Sequence, residues 1–303
     1  MSNIDKNSEI LFIYDAKLCN PNGDMDDENK PRMDYDTSTN LVSDVRLKRY
    51  IRDYYEKILG QSIFVTENAK DAKDRGEKLK KEKKDPKDLI DCKLFGAVLA
   101  QKGDNDHIIG PIQFNWGYSL NKVELNESVT ITSSFKSGEG IGKDFRVKYS
   151  LIAFNGGINA RVVESQRTKL NLTEADIKGF DQAIIQAIPL NRTRTKIGQT
   201  PRIYVRIEMK NKNVVLKDLR EYLSIKQNDN INNEYDIRDI GDFVIDFTKL
   251  NDYLEKNILF INKIFYWVDE NVKGFEIFKD KFKNILEEIK VEEIKIENNN
   301  TLL

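Results

Sequence analysis

Residues 20–55 read NPNGDMDDENKPRMDYDTSTNLVSDVRLKRYIRDYY and combine a rigid turn, an acidic loop and a basic helix. Asn20-Pro21-Asn22-Gly23 sets two turn dipeptides back to back. The acids Asp24, Asp26, Asp27, Glu28, Asp34 and Asp36 follow, interrupted by Pro31-Arg32-Met33. Ser43-Asp44 then opens a helix: a serine is a good N-cap, and an aspartate suits the positive end of the helix dipole. At about 100° per residue, Leu47, Tyr50, Ile51, Tyr54 and Ile58 fall on one arc. Arg46, Lys48, Arg49 and Arg52 fall on the opposite arc, with no acid among them until Asp53. The apolar stripe docks the helix. The other face presents cations beside the backbone N–H groups of a helix start, which together make a phosphate site. The plainer alternative is a solvated exterior.

Outward from this stretch, Glu9 to Leu18 alternates. Ile10, Phe12, Tyr14, Ala16 and Leu18 share one face and Asp15 and Lys17 the other, the pattern of a half-buried strand. On the C-terminal side, residues 70–91 read KDAKDRGEKLKKEKKDPKDLID, an exposed helical insertion or loop. Leu94 to Ala100 reads as a short apolar helix. Ile108 to Tyr118 and Phe145 to Phe154 read as strands, and Asn155-Gly156-Gly157 as a turn. Between those strands, Val129 to Thr132 is β-branched, and residues 137–142 form a glycine-rich tip. Thr173 caps a helix whose apolar face is Ile177, Phe180, Ile184 and Ile188. Pro189 ends it, and a basic loop carries Arg192, Arg194 and Lys196 before a strand from Arg202 to Met209. The last third alternates strands and helices.

Without its insertions the order is strand, helix, strand, strand, helix, strand, that of a ferredoxin-like or RRM-like α+β unit. Residues 144–149, DFRVKY, do not match the aromatic motif of an ordinary RRM, so base stacking on the sheet face is not expected.

Composition narrows the function. The chain has 303 residues, 39% hydrophobic and 33% charged, enough for a substantial core. It has one histidine and two cysteines without ligand-like spacing, which argues against a His-based metal centre, a Ser-His-Asp triad or a disulfide framework. A mean hydropathy of -0.58, no membrane-length apolar run and a polar N-terminus point to a cytoplasmic protein. Net charge is -1 and pI about 6.1, so any nucleic acid is held by local patches rather than by an overall basic field.

The string N-P-N-G-D, then P-R-x-D, then S-D-V-R-L-K-R-x-I-R-D resembles the backbone subunit of Cascade, the CRISPR-associated guide-RNA-binding protein of type I systems, most closely its type I-B branch. Leu94 to Ala100, Gly110 to Phe114 and Tyr149 to Ile158 are also similar. The resemblance covers about the first two thirds of the chain. It implies a palm over residues 1–209, a helical finger at 60–107, a protruding β-hairpin thumb at 132–148, and an α/β extension from 210 to 303. It implies non-catalytic guide-RNA binding without cofactor or metal, head-to-tail association with copies of itself, other Cascade subunits as partners, and target DNA reached through the guide.

The RNA-contacting set expected on these grounds is Asn20, Asn22, Ser43, Arg46, Lys48, Arg49, Arg52, Lys136, Ile141, Lys143, Arg192, Arg194 and Lys196. Ile141, between two glycines, would wedge against a base. Two alternatives stand beside this reading. One is a metal-dependent ribonuclease using the acids from Asp24 to Asp36. The other is a generic single-stranded RNA-binding protein.

Overall fold

The computed structural model describes residues 2–101, 104–127, 130–133, 140–164, 170–285 and 290–296. The fold is mixed α/β around one mixed sheet. Its main elements are β1 (Ser8–Cys19), α1 (Asp44–Asp53), β2 (Ile112–Phe114), β3 (Gly117–Ser119), β4 (Val147–Ile158), α2 (Glu174–Leu190), β5 (Gln199–Met209), β6 (Ile261–Val268) and β7 (Lys290–Glu293). β1 is central. It runs antiparallel to β4 on one side, from Ser8↔Ile158 to Cys19↔Val147, and to β5 on the other. β4 pairs with β2 and β3 along its far edge. The spatial order is thus β5, β1, β4, then β2 and β3. Beyond β5 the sheet continues through antiparallel β6 and parallel β7.

Both faces of this sheet are buried. On one, Ile10, Phe12, Tyr14 and Ala16 pack with Leu47, Tyr50 and Ile51 of α1 and Ile177, Phe180, Ile184 and Ile188 of α2. The two helices form as the periodicity predicts. Ser43 caps α1, accepting the Arg46 N–H at 3.3 Å. Thr173 and Asp176 cap α2 reciprocally, closing two of the N–H groups that a helix start leaves open. On the other face, Leu11 and Ile13 of β1 pack beneath Leu219, Phe243, Phe247, Phe275, Phe278 and Phe282. The half-buried reading of β1 is therefore corrected. Ile10 to Tyr14 is a continuous apolar run, which marks a strand covered on both sides. Leu18, expected on the buried face, is exposed, because its φ of 48° breaks the alternation at the strand end.

Two other local readings change. A helix spans Ile90–Phe95, but Gly96 takes φ 77° and starts a hairpin, Gly96–Gln101 with Asp104–Ile109. The chain also does not turn at Asn155-Gly156-Gly157, because β4 runs straight through. Gly156 is there for closeness: a Cβ would lie 2.4 Å from the Phe114 ring. The strands Thr130–Ser133 and Gly140–Lys143 form a separate two-stranded ladder outside the main sheet, ending before β4 begins. Residues 60–109 gather a small separate core of Phe64, Leu79, Leu89, Cys92, Leu99 and Ile108, to which Leu170 also contributes.

Candidate nucleic-acid interface

At one end of the sheet, where Cys19 meets Val147 and Ala16 meets Gln199, three segments converge: the turn at 20–23, the start of α1, and the basic loop before β5. Asn22 stitches the turn to the helix. Its Oδ1 accepts both the backbone N–H and the hydroxyl of Ser43, each at 2.9 Å. Asn20 is buried, and its Nδ2 donates to the Asn29 carbonyl at 2.7 Å. Lys196 reaches across from the basic loop, donating to the carbonyls of Asn20 at 2.6 Å and Pro21 at 3.3 Å. The Asn20 N–H donates back to the Thr195 carbonyl at 2.9 Å.

This junction holds positive charge without a counter-charge. Arg46 lies over the Tyr50 ring, 3.9 Å from its centroid, and its buried Nε has no hydrogen-bond partner. Lys196 sits close enough to feel it: burial first, and then repulsion from Arg46, depress its ammonium to about 8. No acid pairs with either cation among the described residues. The buried Asn20 Oδ1 and Tyr14 hydroxyl are likewise unpartnered.

Arg194, also from the basic loop, is well exposed and donates to Asp144 at 2.9 Å. Arg146 donates to the same carboxylate at 2.8 Å and to the Leu18 carbonyl at 2.7 Å. The reading of the sequence overlooked Arg146, which looked like one residue of a strand; the preceding Asp144 was the available signal. Arg192 donates to the Pro189 carbonyl at 3.0 Å and is otherwise exposed.

The other α1 cations are placed differently. Lys48 is buried and donates to Asp44 at 3.1 Å and to Gln113 at 2.8 Å. Arg49 pairs with Asp53 and donates to the Val65 carbonyl at 2.8 Å. Arg52 meets the fully buried Asp91 at 3.3 Å, and Asp91 also accepts the N–H groups of Phe64 and Val65. The expectation of an unpaired basic face is thus corrected. Asp44 and Asp53 stand four residues from Lys48 and Arg49 and pair with them. These three cations brace α1 against residues 60–113, whereas Arg46 packs on Tyr50 near Lys196.

The acidic loop is also engaged. Asp24 pairs with Arg32 at 3.0 Å, Asp27 with Lys30 at 2.6 Å, and Glu28 with Lys143 at 2.6 Å. Asp34 accepts the Thr37 hydroxyl at 2.8 Å. Among the described residues no group of three or more acids, histidines or cysteines could hold a metal ion. Lys143 stands at the foot of the hairpin, and Ile141 lies opposite Thr132 in its ladder. Lys136 lies outside the described residues.

The sequence profile of the family "CRISPR-associated protein Cas7" matches residues 6–248. The chain belongs to this family. The CRISPR-associated protein Cas7 of Haloferax volcanii (strain DS2) is 33% identical over 289 residues, covering 82% of this chain and 83% of its own. A chain of a "CRISPR RNA-guided surveillance complex" has a TM-score of 0.51 at 17% identity, covering 88% of this chain and 90% of its own, and so shares the fold. A second, "CRISPR RNA-guided surveillance complex, pre-nicking", has a TM-score of 0.49 at 14% identity. The resemblance read from residues 20–55 is to the family to which the chain belongs. No helix among the described residues is long and apolar enough to cross a membrane.

Proposed function

We propose that this chain binds the guide RNA of a Cascade-type surveillance complex, without regard to guide sequence and without catalysis, in the cytoplasm. Copies of it polymerise head to tail along the guide. The observation that carries this reading is the uncompensated Arg46–Lys196 pair at the turn–helix junction. A phosphodiester supplies the missing negative charge beside the Arg46 guanidinium and the Lys196 ammonium. Contacts to phosphate and sugar carry no sequence information, which suits a protein that must accept any guide. Target DNA is then read by pairing with the guide, and other Cascade subunits complete the complex.

The strand order β5-β1-β4-β2/β3 supports a ferredoxin-like palm over residues 1–209. The face that an RRM offers to bases is here covered by the aromatic core of residues 219–282, so RNA is held at the end of the sheet instead. In this reading residues 60–107 are the finger, 132–148 the thumb, and 210–303 an extension that packs on the palm. Lys136, Ile141 and Lys143 stay candidates for guide contact at the thumb, with Ile141 as the wedge. A ribonuclease reading has no comparable support, since Asp24, Asp27, Glu28 and Asp34 of its acids are engaged with cations and a hydroxyl of the chain itself.

A heterologous, non-closing contact between copies generates a helix whose length follows its template. Purified with single-stranded RNAs of increasing length, the protein is expected to form particles whose mass rises in steps of one 35.2 kDa chain. Mass photometry reads this directly. A closed ring of fixed size, independent of RNA length, contradicts it.

A further inference from the structure

Three segments far apart in sequence are tied through Asp144 and Arg146. Asp144 follows the hairpin and is buried. Its Oδ2 accepts Arg146 Nε at 3.0 Å, Arg146 Nη2 at 2.8 Å and Arg194 Nη1 at 2.9 Å. Arg146 extends the tie, donating through Nη1 to the Leu18 carbonyl at 2.7 Å and through Nη2 to the Arg194 carbonyl at 3.4 Å. The hairpin exit and the basic loop therefore meet at a single carboxylate, and Arg146 joins the end of β1 to it.

We propose that Asp144 is a positioning residue for RNA binding: it holds Arg194, and with it the loop bearing Lys196, in the geometry that meets the RNA backbone. The inference rests on the interface reading above and deepens it. Arg146 spends its guanidinium on Asp144 and two carbonyls, so it acts as a strut. Arg194 contacts Asp144 through Nη1 alone and is 61% exposed along its side chain, so its remaining donors face outward. A guanidinium anchored at one edge has fewer conformations to lose when it meets a phosphate. Asp144 stays ionised for this role. Burial opposes the charge, but the hydrogen bonds and charges of Arg146 and Arg194 outweigh it and hold the carboxyl below its usual range.

Simple electrostatics and positioning give opposite signs. Removing an acid beside an RNA site raises affinity if only net charge matters. Removing a strut lowers it. The exposed pair Glu28–Lys143 supplies the contrast, because Glu28 makes one ion pair to a side chain that is itself half exposed.

The test uses the full chain and a labelled single-stranded oligouridine, with affinity read across a salt series and folding checked by Tm. Asp144→Asn is expected to bind roughly tenfold more weakly, with a log–log salt slope reduced by about 0.7, the equivalent of one phosphate contact. Asp144→Glu restores most of the affinity, and Glu28→Gln binds equally or more tightly. In an Arg194→Ala background, Asp144→Asn adds little, because the two residues act as one unit. Should Asp144→Asn fail to fold, Arg146→Lys carries the test. It keeps the charge but cannot span the carboxylate and both carbonyls, and an equal loss is expected. A folded Asp144→Asn, or an Arg146→Lys, that binds as well as the parent overturns the proposal. So does full additivity of Asp144→Asn with Arg194→Ala. If Arg46→Ala with Lys196→Met leaves RNA binding intact, it is the interface reading that fails.

Discussion

Replacing Arg46 by alanine and Lys196 by methionine together is expected to weaken single-stranded RNA binding roughly 100-fold at moderate salt, since each charge-assisted hydrogen bond contributes about 1.5–3 kcal/mol. The log–log salt slope should fall by about 1.4, twice the value for one phosphate on a single strand. The fold should tolerate both changes. Among the described residues neither cation is paired with an acid, and their mutual repulsion disappears with them, which offsets the loss of the Lys196 hydrogen bonds to the Asn20 and Pro21 carbonyls. Arg49→Ala and Arg52→Ala make the comparison. They remove partners from the buried carboxylates of Asp53 and Asp91, so they should lower Tm more than they change the slope. A double variant with parental affinity and slope would remove this junction from the RNA surface. Equal slope losses at Arg49 and Arg52 would move the surface to the whole helix.

The second large effect is on stability. Asp181 of α2 meets Arg206 of β5 across the core: Oδ1 accepts Nε at 2.9 Å and Oδ2 accepts Nη2 at 2.8 Å. The Tyr204 hydroxyl donates to the same carboxylate at 2.6 Å. Arg206 is only 2% exposed and lies over the Phe265 ring. Removing Asp181 leaves a buried guanidinium and a buried hydroxyl without their main acceptor. Breaking a buried pair from one side typically costs about 3–5 kcal/mol, whereas replacing both partners by apolar groups is often near neutral. Urea denaturation of Asp181→Ala should therefore show a loss of about 3–5 kcal/mol, and Asp181→Leu with Arg206→Met should recover much of it. A loss below about 1 kcal/mol would mean that water reaches Arg206 and that α2 is not locked to the sheet here.

What the sequence revealed follows from the range of the interactions involved. Ser43 as a cap, the apolar arc of α1, Thr173 as a cap and the core face of α2 are local patterns, and all are present in the structure. The strand–helix order and the motif at residues 20–55 were enough to point to the family. The second face of β1 was harder. Leu11 and Ile13 look like interruptions of an alternation until residues 219–282 are folded over them, some two hundred positions away. Gly156 reads as a turn because its close neighbour, Phe114, is not local. The division among the α1 cations was partly visible, since Asp44 and Asp53 stand at pairing distance in sequence, whereas Asp91, which takes Arg52, does not. Asp144 beside Arg146 was visible, but the arrival of Arg194 at the same oxygen has no signature in the sequence, because it comes from fifty positions away.

Protonation of Lys196 on RNA binding reports whether a phosphate sits at this junction. In the free protein its ammonium titrates near 8, below the ordinary lysine value of 10.5. The folded state thus binds fewer protons there than the unfolded chain does, so this group favours folding increasingly as pH rises from about 8 towards 10.5. A phosphodiester seated between Lys196 and Arg46 reverses the shift, because it favours the charged ammonium. RNA binding should then take up about half a proton per chain at pH near 8, close to one at pH near 9, and almost none at pH near 6.5. Calorimetric titration with oligouridine in buffers of different ionisation enthalpy measures this uptake. The uptake should follow this pH profile and vanish in Lys196→Met. RNA binding with no proton uptake at pH 8–9, or with uptake unchanged in Lys196→Met, would contradict a phosphate seated at this junction.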